Sequence, residues 1–157
     1  MRERRSGTIV NISSTAGVYP RPGASMYSAS KFALESISEA LNRELMAFDL
    51  RVLIVEPGAL RTNFLQAGAY TNQELNPAYR NTPLSATLDA LKTQNGTQRG
   101  DPKKAARVMY EAIVGEARGA KADKGVLRLL LGPDAIERMN ARLNSMTSDL
   151  AAIDCTP

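Results

Sequence analysis

The chain has 157 residues, of which 43% are hydrophobic and 23% are charged, a composition typical of one soluble folded domain. It contains no histidine and a single cysteine, Cys155, which excludes a histidine-based catalytic triad, a histidine-ligated zinc ion and an internal disulfide. The net charge of +4 comes from basic residues scattered among acidic ones, so we predict no nucleic-acid partner. Because no apolar run approaches the roughly 20 residues that span a bilayer, and MRERRSGTIV is not a signal peptide, we expect a cytoplasmic protein without a membrane partner.

The first third of the chain predicts a strand, a helix and a second strand. GTIVNIS indicates a buried strand at 8–12, and RVLIVEPG indicates another at 52–55, ended by Pro57 and Gly58. Between them a helix is predicted over 25–48, with apolar residues at helical spacing: Ala33, Ile37, Ala40, Leu41, Leu45 and Phe48. This order predicts a right-handed crossover between parallel strands, with the helix covering one face of an α/β sheet.

The rest of the chain predicts a long irregular segment followed by helix, strand and helix. Residues 61–100 are rich in glycine, proline and asparagine, with a short helix near 84–91, and we interpret them as a substrate-covering segment. Asp101 is the predicted cap of a helix with an apolar stripe formed by Ala105, Val108, Met109, Ala112 and Ile113. GVLRLLLG predicts a third strand at 126–131, and PDAIERMNARLNSM a closing helix. We assign 1–150 to the domain and 151–157 to a frayed tail.

Polar side chains follow both early strands, at the edge where parallel sheets bind ligands. Ser13 and Ser14 follow the first strand, PGALRT follows the second, and Tyr27 and Lys31 are four residues apart on one helical face. An adjacent ammonium favours the phenolate form of a tyrosine and so makes proton transfer feasible. Taken singly, each feature has a structural explanation: a solvated helix face, a turn capped by Ser14, a segment capped by Thr62, and a strand ended by Pro57 and Gly58.

Taken in order, NISSTAG, Tyr27-Ser28-Ala29-Ser30-Lys31, Pro57-Gly58 and RLLLGPDA resemble the short-chain dehydrogenase/reductase family. The resemblance implies a partial doubly wound, Rossmann-like parallel sheet of about three strands. It also implies an NAD(P)-dependent oxidoreductase that interconverts an alcohol and a carbonyl by hydride transfer. By the same resemblance Tyr27 is the catalytic acid/base, Lys31 is its activator, and Ser14, rather than Ser13, orients the substrate.

The resemblance also implies the cofactor and partners. Lys31 would contact the nicotinamide ribose, the backbone of Leu60 and the hydroxyl of Thr62 would meet the carboxamide, and Pro57 and Gly58 would shape that turn. Tyr27 is counted among the cofactor-binding residues as well. The cofactor would be NADP or NAD, with NADP slightly favoured, and the substrate a small alcohol or carbonyl compound. Association into a homo-oligomer through the helix that bears Tyr27 is a further implication. Apolar residues in the covering segment suit a moderately apolar substrate: Phe64, Leu65, Tyr70, Leu75 and Tyr79.

One part of the family pattern is not found in the sequence. The glycine-rich strand-to-helix turn that binds pyrophosphate is absent, and GEARGAKADKG has the wrong flanks for it. The chain therefore resembles the C-terminal half of a reductase, whose first strand would lack a neighbour. The alternative is a truncated, non-catalytic remnant or an interaction module that pairs with a full-length relative.

Overall fold

The computed structural model describes residues 1–65, 74–114 and 126–153. Within them the strands are β1 (Thr8–Ile12), β2 (Arg51–Pro57) and β3 (Arg128–Leu131). The α-helices are α1 (Ser25–Leu45), α2 (Pro83–Gln94), α3 (Pro102–Val114) and α4 (Pro133–Ala152). No helix in these ranges has the length and apolar composition needed to span a membrane.

The three strands form one parallel sheet in the order β1–β2–β3. Val10 is paired with Leu53, and Val55 with Leu129, which sets the register of both ladders. Parallel neighbours require crossover connections, and the chain between β1 and β2 supplies α1 as predicted. The predicted Rossmann-like fragment of three strands with flanking helices is therefore confirmed.

One face of the sheet carries the apolar core. Leu53, Val55, Leu129 and Leu131 pack against Ala105 and Ala112 of α3, with Val108 and Met109 at the margin. Because side chains alternate along a strand, the β2 residues on this face are two apart. Truncating the fully buried Leu53 to alanine would cost about 2–5 kcal/mol. The predicted stripe of α3 is confirmed except at Ile113, which is 40% exposed at the end of the helix.

The opposite face of the sheet carries the buried Val52 and Ile54, and beside them polar side chains that contact α1. Asn11 Nδ2 donates to Ser38 Oγ at 2.8 Å. Arg128 Nε lies 3.4 Å from Glu35 Oε2 and 3.1 Å from Glu56 Oε1, and Arg128 also pairs with Glu39. Buried charges are tolerated only when paired, so these side chains require polar partners from the helix above them.

The predicted apolar positions of α1 divide into two groups: Leu41, Leu45 and Phe48 are half-buried, whereas the first half of the stripe is exposed. The helix buries Ser28, Glu35 and Ser38, whereas Ile37 is 60% exposed and Ala33 and Ala40 are exposed. Glu35 and Ser38 lie on the buried side because they meet Arg128 and Asn11 of the sheet.

Element boundaries differ from the prediction by a few residues. The chain continues after α1 as a short 3-10 helix, Met46–Phe48, and β2 extends to Pro57. Helix α4 continues to Ala152, two residues into the predicted tail, and Cys155 lies outside the described residues. Asp101 caps α3 as predicted, because its Oδ1 accepts from Lys103 N at 2.8 Å and from Lys104 N at 3.3 Å.

Candidate functional site

A cavity of about 260 Å³ lies at the carboxyl edge of β1 and β2. All seven residues predicted to form the site line it: Ser14, Tyr27, Lys31, Pro57, Gly58, Leu60 and Thr62. The sheet brings these sequence-distant residues together because its parallel strands end at the same edge.

Tyr27 and Lys31 lie on one face of the first turns of α1. The Lys31 Nζ atom is 5.7 Å from the centre of the Tyr27 ring and donates to the carbonyl of Ile12 at 2.9 Å. Strand β1 therefore holds the ammonium near the phenol while leaving further N–H donors on the same nitrogen. The Phe64 ring, 5.7 Å from the Tyr27 ring, packs beside it.

Ser14 is positioned by the turn that follows β1. Its side chain caps the 3-10 helix Thr15–Gly17 by accepting from Ala16 N at 3.2 Å. A Cβ at Gly17 would lie 2.7 Å from Ser13 Oγ and 3.1 Å from the Lys31 carbonyl oxygen, so glycine lets this turn approach α1 closely. The capping role considered for Ser14 is thus real, and the residue lines the cavity as well.

The loop after β2 is held by hydrogen bonds to two other parts of the chain. Ala59 N donates to Asp134 Oδ2 at 2.8 Å, which joins the loop to the start of α4. Arg61 N donates to Gly100 O at 2.8 Å, so the segment that leaves at residue 61 returns beside its starting point. Thr62 Oγ1 accepts from Phe64 N at 3.3 Å, which is the capping role considered for it in the sequence.

The covering segment contributes only part of the predicted apolar lining. Phe64 and Leu65 line the cavity, but Leu75 and Tyr79 do not, and Tyr79 is 51% exposed. Both residues precede α2 in the chain. The side of the cavity that this segment covers is lined by Leu91 and Gln94 of α2 instead. Tyr70 lies outside the described residues.

Sequence reasoning missed several cavity residues, among them Arg21, Gln98 and Arg138. Arg138 Nη1 donates to Thr15 Oγ1 at 2.8 Å across 123 residues of sequence. Gln98 is buried, and its Oε1 has no hydrogen-bond donor among the described residues. No local pattern marks Gln98 and Arg138, because only the return of the chain at Gly100 and the placement of α4 bring them to the site.

A second polar cluster lies behind the cavity, between α1 and the sheet. Burial raises the pKa of Glu35, with Ser13 and Arg128 opposing that effect. Burial, followed by the charge of Glu35, raises the pKa of Glu56 to about 7. This cluster connects the turn after β1 to β3 but does not itself line the cavity, apart from Ser13.

Comparison with known proteins identifies the family to which the chain is similar. Residues 1–73 match the family model described as short chain dehydrogenase. An uncharacterized oxidoreductase of Schizosaccharomyces pombe is 34% identical over 152 residues, which are 96% of this chain and 49% of that protein. The NADPH-dependent 3-dehydrocapnine reductase of Ornithobacterium rhinotracheale is 50% identical over 56 residues, covering 36% of this chain and 20% of that protein.

A solved structure extends the match to the whole fold. A short-chain dehydrogenase from Streptomyces avermitilis is 42% identical, with a TM-score of 0.78 over 96% of this chain and 51% of that one. The chain thus spans about half the length of the relatives that it matches. From its sequence, its three-stranded parallel sheet and these likenesses, the chain belongs to the short-chain dehydrogenase/reductase family.

Proposed function

We propose that this chain carries the reactive half of an NAD(P)-dependent oxidoreductase that interconverts an alcohol and a carbonyl. The observation that carries the proposal is the convergence of Ser14, Tyr27 and Lys31 on one cavity, with the Lys31 ammonium 5.7 Å from the phenol ring. Tyr27, Lys31 and Ser14, each a weak indication when taken singly in the sequence, thus line one cavity. In this proposal they supply an acid/base, a cation and a hydroxyl.

Each of the three side chains has a distinct role in this mechanism. During carbonyl reduction the Tyr27 hydroxyl donates its proton to the oxygen on which negative charge develops. Ser14 Oγ–H donates a hydrogen bond to the same oxygen, which orients it and stabilises that charge. Lys31, held by the Ile12 carbonyl, stabilises the phenolate that remains. Alcohol oxidation is the reverse, with Tyr27 accepting the proton.

The cavity also has the groups that a nicotinamide requires. The buried Gln98 Oε1 lacks a donor among the described residues, and such an acceptor suits the N–H of a carboxamide. The Leu60 backbone and the Thr62 hydroxyl would hold the same carboxamide, Pro57 and Gly58 would shape the turn, and Lys31 would contact the ribose. When bound, the nicotinamide supplies or accepts the hydride. NADP is slightly favoured over NAD, in keeping with the NADPH dependence named for the Ornithobacterium relative.

The exposed apolar face of α1 supports a homo-oligomer. Met26 is 83% exposed and Ile37 is 60% exposed, and large exposed apolar side chains on one helix are typical of interaction surfaces. The proposal can be checked by measuring the molar mass in solution for the wild-type chain and for Ile37→Glu.

The alternative function, a non-catalytic module that pairs with a full-length relative, is favoured by one observation. In the described part of the chain β1 pairs with β2 alone, so its other edge offers backbone groups to a further strand. Titration of the chain with NADPH separates the two functions, because saturable binding argues against a module that has lost the cofactor.

The test of catalysis is carbonyl-dependent oxidation of NADPH and NADH, followed by the absorbance of the reduced cofactor. Tyr27→Phe should lower turnover at least about 100-fold, since general acid–base catalysis contributes about that much or more. Tyr110→Phe, at a tyrosine that is 63% exposed on α3, is the matched control and should leave turnover unchanged. Equal turnover in wild type and Tyr27→Phe would refute the assignment.

A further inference from the structure

Two arginines line the cavity together with the proposed reactive side chains. Arg21 belongs to the loop between the Ser14 turn and α1, and Arg138 to the second turn of α4. Neither position belongs to the sequence pattern that defined the site. With Lys31 they place three cations among the described lining residues, which include no aspartate or glutamate.

The charge of Arg138 is only partly compensated by the protein. Its side chain is 21% exposed, and its hydrogen bond goes to the neutral hydroxyl of Thr15. The Asp134 carboxylate lies 3.7 Å from Arg138 Nη2, beyond hydrogen-bond length, and the same Oδ2 atom accepts from Ala59 N at 2.8 Å. Burial and then the positive charge of Arg21 lower the pKa of Arg138, as expected for a desolvated cation beside another.

Arg21 is available to a ligand. Within 1–65, 74–114 and 126–153, its guanidinium makes no hydrogen bond or ion pair. Its charge therefore adds to that of Arg138 without a carboxylate from the described residues to offset it. A guanidinium presents paired N–H donors that match a carboxylate, sulfonate or phosphate, so two guanidinium groups that line one cavity suit an anionic ligand.

The position of these arginines relates them to the substrate rather than to the nicotinamide. Thr15, which holds Arg138, follows Ser14 directly, and Arg21 lies six residues further along the same loop. The proposed nicotinamide contacts come instead from the loop after β2. The remaining lining includes Phe64, Leu65 and Leu91, which suit a hydrocarbon chain.

We propose that the substrate is a carbonyl or alcohol compound that carries an anionic group, a carboxylate in the first instance, which Arg21 and Arg138 bind. Its reacting carbon would lie beside Ser14 and Tyr27, and its apolar chain along Phe64 and Leu91. This inference rests on the proposed function for the reacting end of the substrate, whereas anion binding by Arg21 and Arg138 is independent of catalysis.

The test compares 4-oxononanoate with its methyl ester, which share the carbonyl and the chain and differ in charge. Binding to the purified chain is measured by calorimetry and by the arginine Nε–H signals in proton–nitrogen NMR spectra, without cofactor. We expect the acid to bind at least about 10-fold more tightly than the ester, because only the acid offers a charged acceptor to the two guanidinium groups. That preference should decline with added salt.

Variants assign the effect to the two arginines. Arg21→Gln and Arg138→Gln should each weaken binding of the acid about 10-fold while leaving the ester unchanged, and Arg138→Lys should restore part of the preference. Arg142→Gln, one turn further along α4 and not among the lining residues, is the matched control and should bind both compounds as wild type does. Because the Arg21 guanidinium makes no hydrogen bond or ion pair among the described residues, Arg21→Gln tests the proposal even if Arg138→Gln unfolds.

The outcomes separate this inference from the proposed function. Equal binding of acid and ester by the wild-type chain, or equal weakening of both in Arg21→Gln and Arg138→Gln, overturns the anionic substrate. If the chain reduces the ester but shows no preference for the acid, the proposed reductase function is supported and the anion site is refuted. Tight, arginine-dependent binding of the acid without reduction of either compound supports the anion site and counts against the reductase.

Discussion

Glu56 is the buried group whose replacement tests the electrostatics of the fold most directly. It is fully buried near the end of β2, and within the described residues its carboxylate pairs with Arg128 at 3.1 Å. Arg128 also pairs with Glu35 and Glu39, so one cation is shared among three carboxylates. Burial, and then the charge of Glu35, raise the pKa of Glu56 to about 7 from its ordinary 4.5.

The raised pKa makes stability depend on pH in a defined direction. Between pH 4.5 and about 7 the folded chain keeps the Glu56 proton while the unfolded chain has lost it, so the free energy of unfolding decreases as pH rises through this window. The two pKa values differ by about 2.5, which at about 1.4 kcal/mol for each tenfold change in proton affinity corresponds to a penalty of about 3 kcal/mol above pH 7.

Glu56→Gln should remove this penalty, because glutamine has the shape of the protonated acid and cannot ionise. We expect the variant to be about 1–3 kcal/mol more stable than wild type at pH 8 and within about 1 kcal/mol of it at pH 4.5. Arg128 keeps Glu35 and Glu39 as partners in the variant.

The assay is urea denaturation followed by circular dichroism at pH values from 4.5 to 8. Glu44→Gln, at an exposed position of α1, is the control and should leave the pH dependence unchanged. A Glu56→Gln variant that is less stable than wild type at pH 8, with the wild-type dependence on pH, would mean that Arg128 requires an ionised Glu56 and would refute the reasoning.

Three further substitutions test the site and its supports. Lys31→Met should lower carbonyl reduction at least about 100-fold in the NADPH oxidation assay, because the phenolate loses the cation that favours it. Gly58→Ala should destabilise the fold by about 1–3 kcal/mol in urea denaturation, because the new Cβ would overlap the Asp134 carboxylate. Asp101→Ala should lower the melting temperature by a few degrees, since the backbone N–H of Lys103 loses its acceptor at the start of α3.

For each of these three substitutions, one result would contradict the prediction. Reduction at the wild-type rate in Lys31→Met would exclude the ammonium from the chemistry. Gly58→Ala should cost less when Asp134→Ala removes the overlapping group, and an unchanged cost in the double variant would contradict the steric explanation. Asp101→Asn, which can still accept the capping hydrogen bonds, should melt close to wild type, and a loss equal to that of Asp101→Ala would count against capping.

Local patterns predicted much of the fold. The strands at Thr8–Ile12 and Arg51–Pro57 lie where continuous β-branched and aliphatic runs indicated them, since such runs fit the buried centre of a parallel sheet. The cap at Asp101 was predictable because capping depends on residues next to one another in sequence. The Tyr27–Lys31 pair was predictable because helical geometry alone places residues four apart on one face.

Packing between elements was not predictable in the same way. Apolar periodicity in α1 indicated a core-facing stripe, but the helix buries Glu35 and Ser38, because Arg128 and Asn11 on the sheet require polar partners. That requirement is visible only once the register of β2 and β3 is known.

The sequence by itself determined the strand–helix–strand order and the placement of Tyr27 and Lys31 on one helical face, because both depend on interactions within a few residues. The tertiary structure alone decided which distant groups join them: Arg138 reaches Thr15 across 123 residues, and Gln98 comes to the cavity because Gly100 returns beside Leu60. The physical reason is that such contacts form only when separate elements pack, so their partners leave no periodic or local signal in the chain.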